Sequence, residues 1–145
     1  MPYVGEAFSK PYFFSRTVIA DFAARCGDEN PLHRDENFAA SSRFGGVIAC
    51  GPHANAVHMS IIATHYTRTH EMVGLEFSVQ FVKAIPAETA TTMSWTVVGV
   101  EPNAKLGGEL VSLEGNIADA AGTTFITGKG RIVVWPRGGN ASAPN

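Results

Sequence analysis

The chain has little charge of either sign and no long apolar run, and these two shortages exclude whole classes of partner. Its 145 residues hold 11 lysines and arginines against 13 aspartates and glutamates, for a net charge of −2. The basic residues are scattered, so nothing favours nucleic acid or an anionic membrane surface as a partner. No apolar run approaches the roughly 18 residues of a membrane-spanning helix, and we therefore expect a protein that does not cross a membrane.

Cysteine is also scarce, with Cys26 and Cys50 as the only two. A chain of this length can bury a core large enough to fold as one domain without a disulfide, so two reduced thiols are the favoured interpretation. The pair lacks the close ligand spacing of a zinc site, and we expect no metal. Residues 1–6 show no basic segment leading into an apolar one, the pattern of a secretory signal. These observations favour a cytoplasmic protein.

The first half of the chain is rich in helix signals. Ser15 suits an N-cap, apolar residues follow it at helical spacing, and Gly27 stands where a glycine commonly ends a helix. A short helix is predicted over 35–41, with Asp35 as its cap and with Phe38 and Ala39 facing inward. The longest helix is predicted over 52–67, and its apolar residues on more than one side indicate that other structure wraps around it.

The rest of the chain is predicted as strands. Their predicted ranges are 6–14, 75–81, 93–97, 110–119 and 124–135. Phe77, Phe81 and Trp95 are most simply core residues, and the lining of an apolar binding tunnel is the alternative that the sequence leaves open for some of them. Two glycines in the last strand allow a bulge or a strong bend. One long helix with consecutive antiparallel strands predicts an α+β domain, a curved sheet wrapped around a helix. We expect residues 1–135 to form this domain and the turn-forming residues 136–145 to be a disordered tail.

The candidate chemistry lies in the stretch 26–35. It places a carboxylate, Asp28, and an imidazole, His33, on either side of Asn30-Pro31. Proline fixes its own φ and keeps the preceding residue out of the helical region, so this is a stiff loop and not a helix. Histidine titrates near neutrality and a buried carboxylate can be tuned toward it, which suits the pair to acid–base chemistry.

A longer pattern contains this pair. Its elements are Gly27-Asp28-x-Asn30-Pro31-x-His33-x-Asp35, Phe44-Gly45-Gly46 and Ile48-Ala49-x-Gly51. The pattern resembles the signature of the MaoC-like hydratases, which include the (R)-specific enoyl-CoA hydratases and related 3-hydroxyacyl dehydratases. The resemblance extends over roughly residues 8–135. It implies the hotdog fold, in which a curved antiparallel sheet wraps around a long central helix.

The resemblance also implies roles for individual residues. Asp28 and His33 fall on the family's catalytic dyad, which shares acid–base work around one water. The backbone N–H of Gly51 falls on the family's thioester-binding glycine and would stabilise charge on the thioester oxygen. Asn30 is predicted to bond backbone groups within the turn.

One family feature is missing from the central helix. Hydratases of this family often carry a small hydroxyl residue there that helps to hold the water. In this chain the position falls on Met59, with Ser60 as its neighbour. The implied reaction is still the reversible hydration of a 2-enoyl thioester to an (R)-3-hydroxyacyl thioester, without a metal or organic cofactor. The substrate would be an acyl-CoA, or an acyl thioester of a carrier protein.

Two alternative functions remain open. A thioesterase of the same fold usually places its key acid on or near the central helix, whereas residues 53–70 contain no aspartate or glutamate. A non-catalytic subunit that binds acyl thioesters or pairs with an active partner is disfavoured by the intact Asp28 and His33, while Met59 keeps it open. A single hotdog sheet leaves an edge and an apolar face uncovered, which predicts a homodimer or a higher homo-oligomer.

The remaining histidines lie near or on the predicted central helix. They are His53, His58, His65 and His70. Only His58 and His65 share a helix face, and no carboxylate is placed to complete a metal site with them. We therefore predict that these histidines lie at the surface or at a subunit interface.

Overall fold

The computed structural model describes residues 1–138 as a five-stranded antiparallel sheet with one long helix packed on its inner face. The strands are β1 (Ala7–Phe14), β2 (His70–Phe81), β3 (Thr89–Asn103), β4 (Gly108–Ala118) and β5 (Thr124–Pro136). The helices are α1 (Arg16–Cys26), α2 (Glu36–Ala40) and α3 (Gly51–Tyr66), with a 3₁₀ turn over Pro31–His33. This arrangement is the hotdog fold and confirms the predicted α+β class.

The order of strands across the sheet is β1-β3-β4-β5-β2, so β1 and β2 form its two edges. All four neighbouring pairs are antiparallel. The register shifts between Gly74 and Glu76 in β2 and between Val97 and Gly99 in β3. Such irregularities bend a strand and increase its twist, which lets the sheet curve around α3.

The helix boundaries follow from local chemistry. The Ser15 side chain accepts the Val18 N–H at the start of α1, and Gly27 ends that helix at a φ of 75°. The Asp35 side chain accepts the Phe38 N–H at the start of α2. These three predicted caps are confirmed, because each depends only on residues within one turn of the helix end.

The central helix α3 is anchored to the sheet by a histidine and a tryptophan. The His58 ring stacks on Trp95 with centroids 4.1 Å apart, and its Nε2 lies 2.9 Å from the Ser94 carbonyl oxygen. In return, Trp95 Nε1 donates to the His58 carbonyl oxygen at 2.8 Å. The predicted surface or interface position is therefore wrong for His58, which is 1% exposed, and also for His53, which is 1% exposed.

The two glycines of β5 make room for aromatic rings. The pairing register runs without interruption through Gly128 and Gly130, so neither glycine forms the bulge that their presence in the sequence would permit. A Cβ on Gly128 would lie 3.0 Å from the Trp95 indole, and one on Gly130 would lie 2.4 Å from the Phe77 ring. The absence of a side chain here lets the large rings fill the space under α3.

Trp95 is buried as predicted, but two of the apolar residues expected in the interior, Phe38 and Phe81, are not. Phe38 is 52% exposed because α2 is too short to turn its whole apolar side inward, and only Ala39 of this helix is buried. Leu75 and Phe81 are 43% and 61% exposed because β2 is an edge strand that α3 covers only in part.

The far end of the sheet carries a second, smaller core. The turn between β3 and β4, predicted as a loop, folds back so that the Leu106 carbonyl oxygen accepts from Trp135 Nε1 at 2.7 Å. Leu110 and Val133 complete this cluster. Pro136 is the last residue of β5, and the part of the predicted tail from residue 139 onward lies outside the described residues.

Candidate active site

The loop that carries Asp28 begins where α1 ends. The left-handed conformation of Gly27 turns the chain, and the Asp28 N–H then donates to the Ala23 carbonyl oxygen at 2.9 Å. Asp28 Oδ1 accepts the Asn30 N–H at 2.9 Å, and Asn30 Oδ1 accepts the Leu32 N–H at 3.1 Å. Asn30 thus bonds the backbone of the turn, as its residue type favours.

The 3₁₀ turn delivers His33 to the interior, where it is 6% exposed. Its Nδ1 lies 2.8 Å from the Ile48 carbonyl oxygen. A carbonyl oxygen can only accept, so Nδ1 carries the proton and the neutral ring keeps its lone pair on Nε2. Nε2 lies 3.6 Å from Asp28 Oδ2. That distance is too long for a direct hydrogen bond and leaves both atoms able to bond one shared oxygen.

Gly51 opens α3 beside this pair. The preceding Cys50 is extended at φ −76° and ψ 140°, and no side chain caps the helix. Within residues 1–138, no acceptor lies within hydrogen-bond distance of the Gly51 N–H. Since the first N–H groups of a helix carry partial positive charge, this N–H is suited to bind an oxygen that develops negative charge.

A cavity of about 410 Å³ lies between His33 and the start of α3. His33 and Gly51 both line it, and most of the remaining lining is apolar, from Ile48, Ala54, Phe81 and Ile126 among others. Asp28 does not line the cavity, but its Oδ2 lies 3.6 Å from Nε2 of His33, which does. An apolar cleft with a few convergent polar groups is the usual form of a small-molecule site.

Met59 and Ser60 do not meet this cavity. Neither residue lines it, and Ser60 Oγ donates to the Val57 carbonyl oxygen at 2.7 Å on the exposed side of α3. No hydroxyl of α3 therefore reaches the Asp28 and His33 pair in this arrangement. Arg43, whose guanidinium group is of a type that binds phosphate, is exposed and does not line the cavity.

The two thiols are free, Cys26 exposed and Cys50 buried at the start of α3. Burial raises the pKa of the Cys50 thiol, which keeps it protonated and unreactive near neutral pH. Among residues 1–138, no three side chains of the metal-binding types come together. The described helices include none long and apolar enough to cross a membrane.

Comparison with known sequences decides the family. A profile described as "MaoC like domain" matches residues 5–114, from before β1 into β4. The chain belongs to the MaoC-like dehydratase family. The matched residues include both sides of the cavity, from the Asp28 loop to the start of α3.

Individual relatives of this MaoC-like chain are distant. A UPF0336 protein of Thermobifida fusca is 28% identical over 142 residues, covering 91% of each chain. The (R)-hydratase from A. caviae involved in PHA biosynthesis superimposes with a TM-score of 0.80 at 23% identity, covering 91% of this chain and 96% of that one. The HadBC (3R-hydroxyacyl-ACP dehydratase) complex of Mycobacterium tuberculosis superimposes with 0.76 at 12% identity, covering 92% and 98%. These structures share the fold.

One contributor to the site escaped the sequence analysis. The Ile48 carbonyl oxygen sets the tautomer of His33, and a backbone acceptor leaves no trace in residue type. For Phe81 the sequence left open a core position and the lining of a tunnel, and the structure places it in the lining of the cavity, largely exposed. A signal that separates the two was present, because the alternation of β2 breaks at Phe81-Val82, where two apolar residues follow each other.

Proposed function

We propose that this chain interconverts 2-enoyl thioesters and (R)-3-hydroxyacyl thioesters by adding or removing one water. The observation that carries the proposal is the placement of His33 Nε2 3.6 Å from Asp28 Oδ2, with His33 and Gly51 lining the same cavity. Family membership favours the same reaction class. The R configuration rests on the family resemblance alone.

In the hydration direction a water would bond both Nε2 of His33 and Oδ2 of Asp28. His33 Nε2 takes a proton from this water as its oxygen bonds to the β-carbon. The electrons of the C=C bond move toward the thioester oxygen, giving an enolate. The α-carbon then takes the proton back from the dyad, so that one molecule of water has been added and no other reactant is needed.

The enolate oxygen is the atom on which charge builds up, and Gly51 supplies its donor. The N–H stands at the positive end of the 16-residue helix α3. A donor fixed before the reaction stabilises the transition state without reorganising at that moment. The buried helix therefore serves the chemistry by holding one N–H at the edge of an apolar cavity.

Activity on a small enoyl thioester tests the proposal. The purified chain should hydrate crotonyl-CoA, measured as loss of the enoyl-thioester absorbance band. Asp28→Asn and His33→Ala should each lower kcat by about 10²- to 10⁴-fold, and the double variant should lose little more because the pair acts as a unit. Asp21→Asn, an exposed carboxylate on α1, and His70→Ala are the matched controls. Full turnover in both dyad variants would remove this mechanism.

The second candidate function is a non-catalytic subunit of a heteromer. It is favoured because the residues of α3 that line the cavity carry no hydroxyl group. Met59 stands where family hydratases often hold the water. A chain of the HadBC (3R-hydroxyacyl-ACP dehydratase) complex shares this fold, so chains of this fold do occur in complexes. An inactive pure chain that gains hydratase activity only with a second MaoC-like protein would establish this alternative. The thioesterase alternative is disfavoured because α3 carries no carboxylate.

We also propose a second copy of the chain as the partner in solution. The β2 edge exposes Val73, Leu75, Phe81 and Val82 to solvent. Phe81 and Val82 also line the cavity, so a chain packed on this edge would cover one of the cavity walls. Free thiols at Cys26 and Cys50 agree with a reducing compartment such as the cytoplasm.

A further inference from the structure

Phe81 has an uncommon position for a large apolar side chain. It is 61% exposed, yet it lines the same cavity as His33 and Gly51. A Cβ placed on Gly51 would lie 2.7 Å from Cε1 and 3.0 Å from Cζ of Phe81. The edge of the ring therefore packs directly against the α-carbon of the residue whose N–H is the proposed oxyanion donor.

The sheet holds this ring in place from behind. Phe81 pairs with Ile126 in β5, and the following Val82 N–H donates to the Phe125 carbonyl oxygen at 2.8 Å. The Lys83 N–H donates to the same oxygen at 3.1 Å. With the backbone anchored on both sides, the ring can turn but its Cβ cannot retreat. It forms a fixed wall of the cavity.

The Phe81 ring and the Gly51 N–H belong to the same part of the cavity, since the ring packs against the α-carbon next to that N–H. A thioester whose oxygen accepts this N–H therefore has its carbonyl group beside the wall that Phe81 forms. We propose that Phe81 is a specificity-determining residue that limits bulk beside the thioester carbonyl. This inference rests on the proposed hydratase function. It assigns the chain to 2-enoyl thioesters without a substituent on the α-carbon.

The physical basis is overlap between a branch and the ring. A methyl group on the α-carbon would need space that the Phe81 ring fills, and the anchored backbone prevents the ring from moving far. Apolar pockets distinguish substrates that differ by one methyl or methylene group by about 10- to 200-fold. Phe81→Ala would open that space, and Phe81→Trp would close it further.

The test compares kcat/KM for crotonyl-CoA and for its 2-methyl analogue with each variant. Phe81→Ala should raise the ratio of branched to unbranched kcat/KM by at least about tenfold, and Phe81→Trp should lower it. Phe13→Ala and Phe38→Ala remove rings of similar exposure, 51% and 52%, from outside the cavity and should leave the ratio unchanged. The ratio is insensitive to partial unfolding, since both substrates report on the same active molecules.

The outcomes separate this inference from the function on which it rests. A wild-type chain that hydrates crotonyl-CoA while Phe81→Ala leaves the ratio unchanged overturns the role of Phe81 and keeps the hydratase. A shift of the same size in Phe13→Ala or Phe38→Ala also overturns it, because the effect would not belong to the cavity wall. A wild-type chain that hydrates neither substrate overturns both proposals.

Discussion

His33 and His58 are both fixed by a backbone carbonyl oxygen, but through different ring nitrogens. His33 uses Nδ1 toward the Ile48 oxygen, which leaves Nε2 directed at Asp28 beside a cavity. His58 uses Nε2 toward the Ser94 oxygen and lies flat on Trp95. The first histidine keeps a free lone pair where a water can reach it, and the second is enclosed by packing. Residue type is the same, so the environment alone separates a candidate catalyst from a core residue.

The enclosed histidines make stability depend on pH. Burial lowers the pKa of His58 and His53 below the ordinary value of 6.5, with the Ser94 carbonyl partly opposing the shift at His58. As the pH falls below 6.5, the unfolded chain takes up protons at these positions while the native chain resists them. Their contribution to stability is thus fully present above pH 6.5 and is lost as the pH decreases.

Replacing His58 with phenylalanine tests this prediction. The ring still stacks on Trp95, but the Ser94 oxygen loses its donor, so the free energy of unfolding at pH 7 should fall by about 1–3 kcal/mol. The variant should then lose less stability than the wild type between pH 6.5 and 5, because one buried titratable group has gone. Urea unfolding at a series of pH values measures both effects. If the free energy of unfolding falls equally in the two proteins between pH 6.5 and 5, the buried His58 ring does not contribute to the pH dependence.

The N-terminus of α3 offers a test of a single backbone N–H. Cys50 is already extended and Gly51 is the first residue of the helix, a position that proline favours. Gly51→Ala and Gly51→Pro add the same Cβ against the Phe81 ring, but only proline removes the N–H. We expect kcat on crotonyl-CoA to be about 10²- to 10³-fold lower for Gly51→Pro than for Gly51→Ala.

The alanine variant is the control in that comparison. Its added Cβ meets the Phe81 ring, which can turn in place although its own Cβ is held, so Gly51→Ala should fold and keep a measurable part of the activity. Circular dichroism and thermal unfolding should show both variants folded. If the two variants have equal kcat, the Gly51 N–H does not stabilise the transition state and the proposed oxyanion donor is wrong.

Elements whose signals are local were predictable, and features that depend on distant residues were not. Ser15, Gly27 and Asp35 mark helix ends through bonds to residues at most four positions away. The loop from Asp28 to His33 was predictable for the same reason. The burial of His58 depends instead on Trp95 and Ser94, 37 and 36 positions along the chain. No pattern within one helix reveals such a partner.

The cavity itself is a property of the whole fold. It joins the end of β2, the start of α3 and the loop around His33, which are distant in the sequence. Sequence patterns pointed to Asp28, His33 and Gly51, but they left Phe81 between a core position and the lining of a tunnel, because alternation in a strand does not reveal an edge position. The order of strands decides which apolar residues meet solvent, and pairing order is not a local property.

The two edges of the sheet differ in a way that predicts how molecules associate. The β1 edge carries Lys10, which is charged, and Pro11, which has no backbone N–H to donate. Both features discourage pairing with another strand. The 12-residue edge of β2 contains no proline and exposes the apolar side chains of Val73 and Leu75. An unprotected apolar edge is a template for pairing, so β2 should be the edge that meets a second copy.

Charge on that edge should separate the copies. We expect Val73→Lys combined with Leu75→Lys to convert the dimer to a monomer, since two lysines placed against their counterparts would be desolvated and would repel. Val98→Lys places one lysine at an apolar position of β3 that is 47% exposed, and it should leave the mass unchanged. Light scattering after gel filtration gives the mass of each variant, and crotonyl-CoA turnover gives its activity.

Because Phe81 and Val82 stand at the same edge, activity should fall together with the dimer. A double variant that stays dimeric would place the contact on another surface of the sheet.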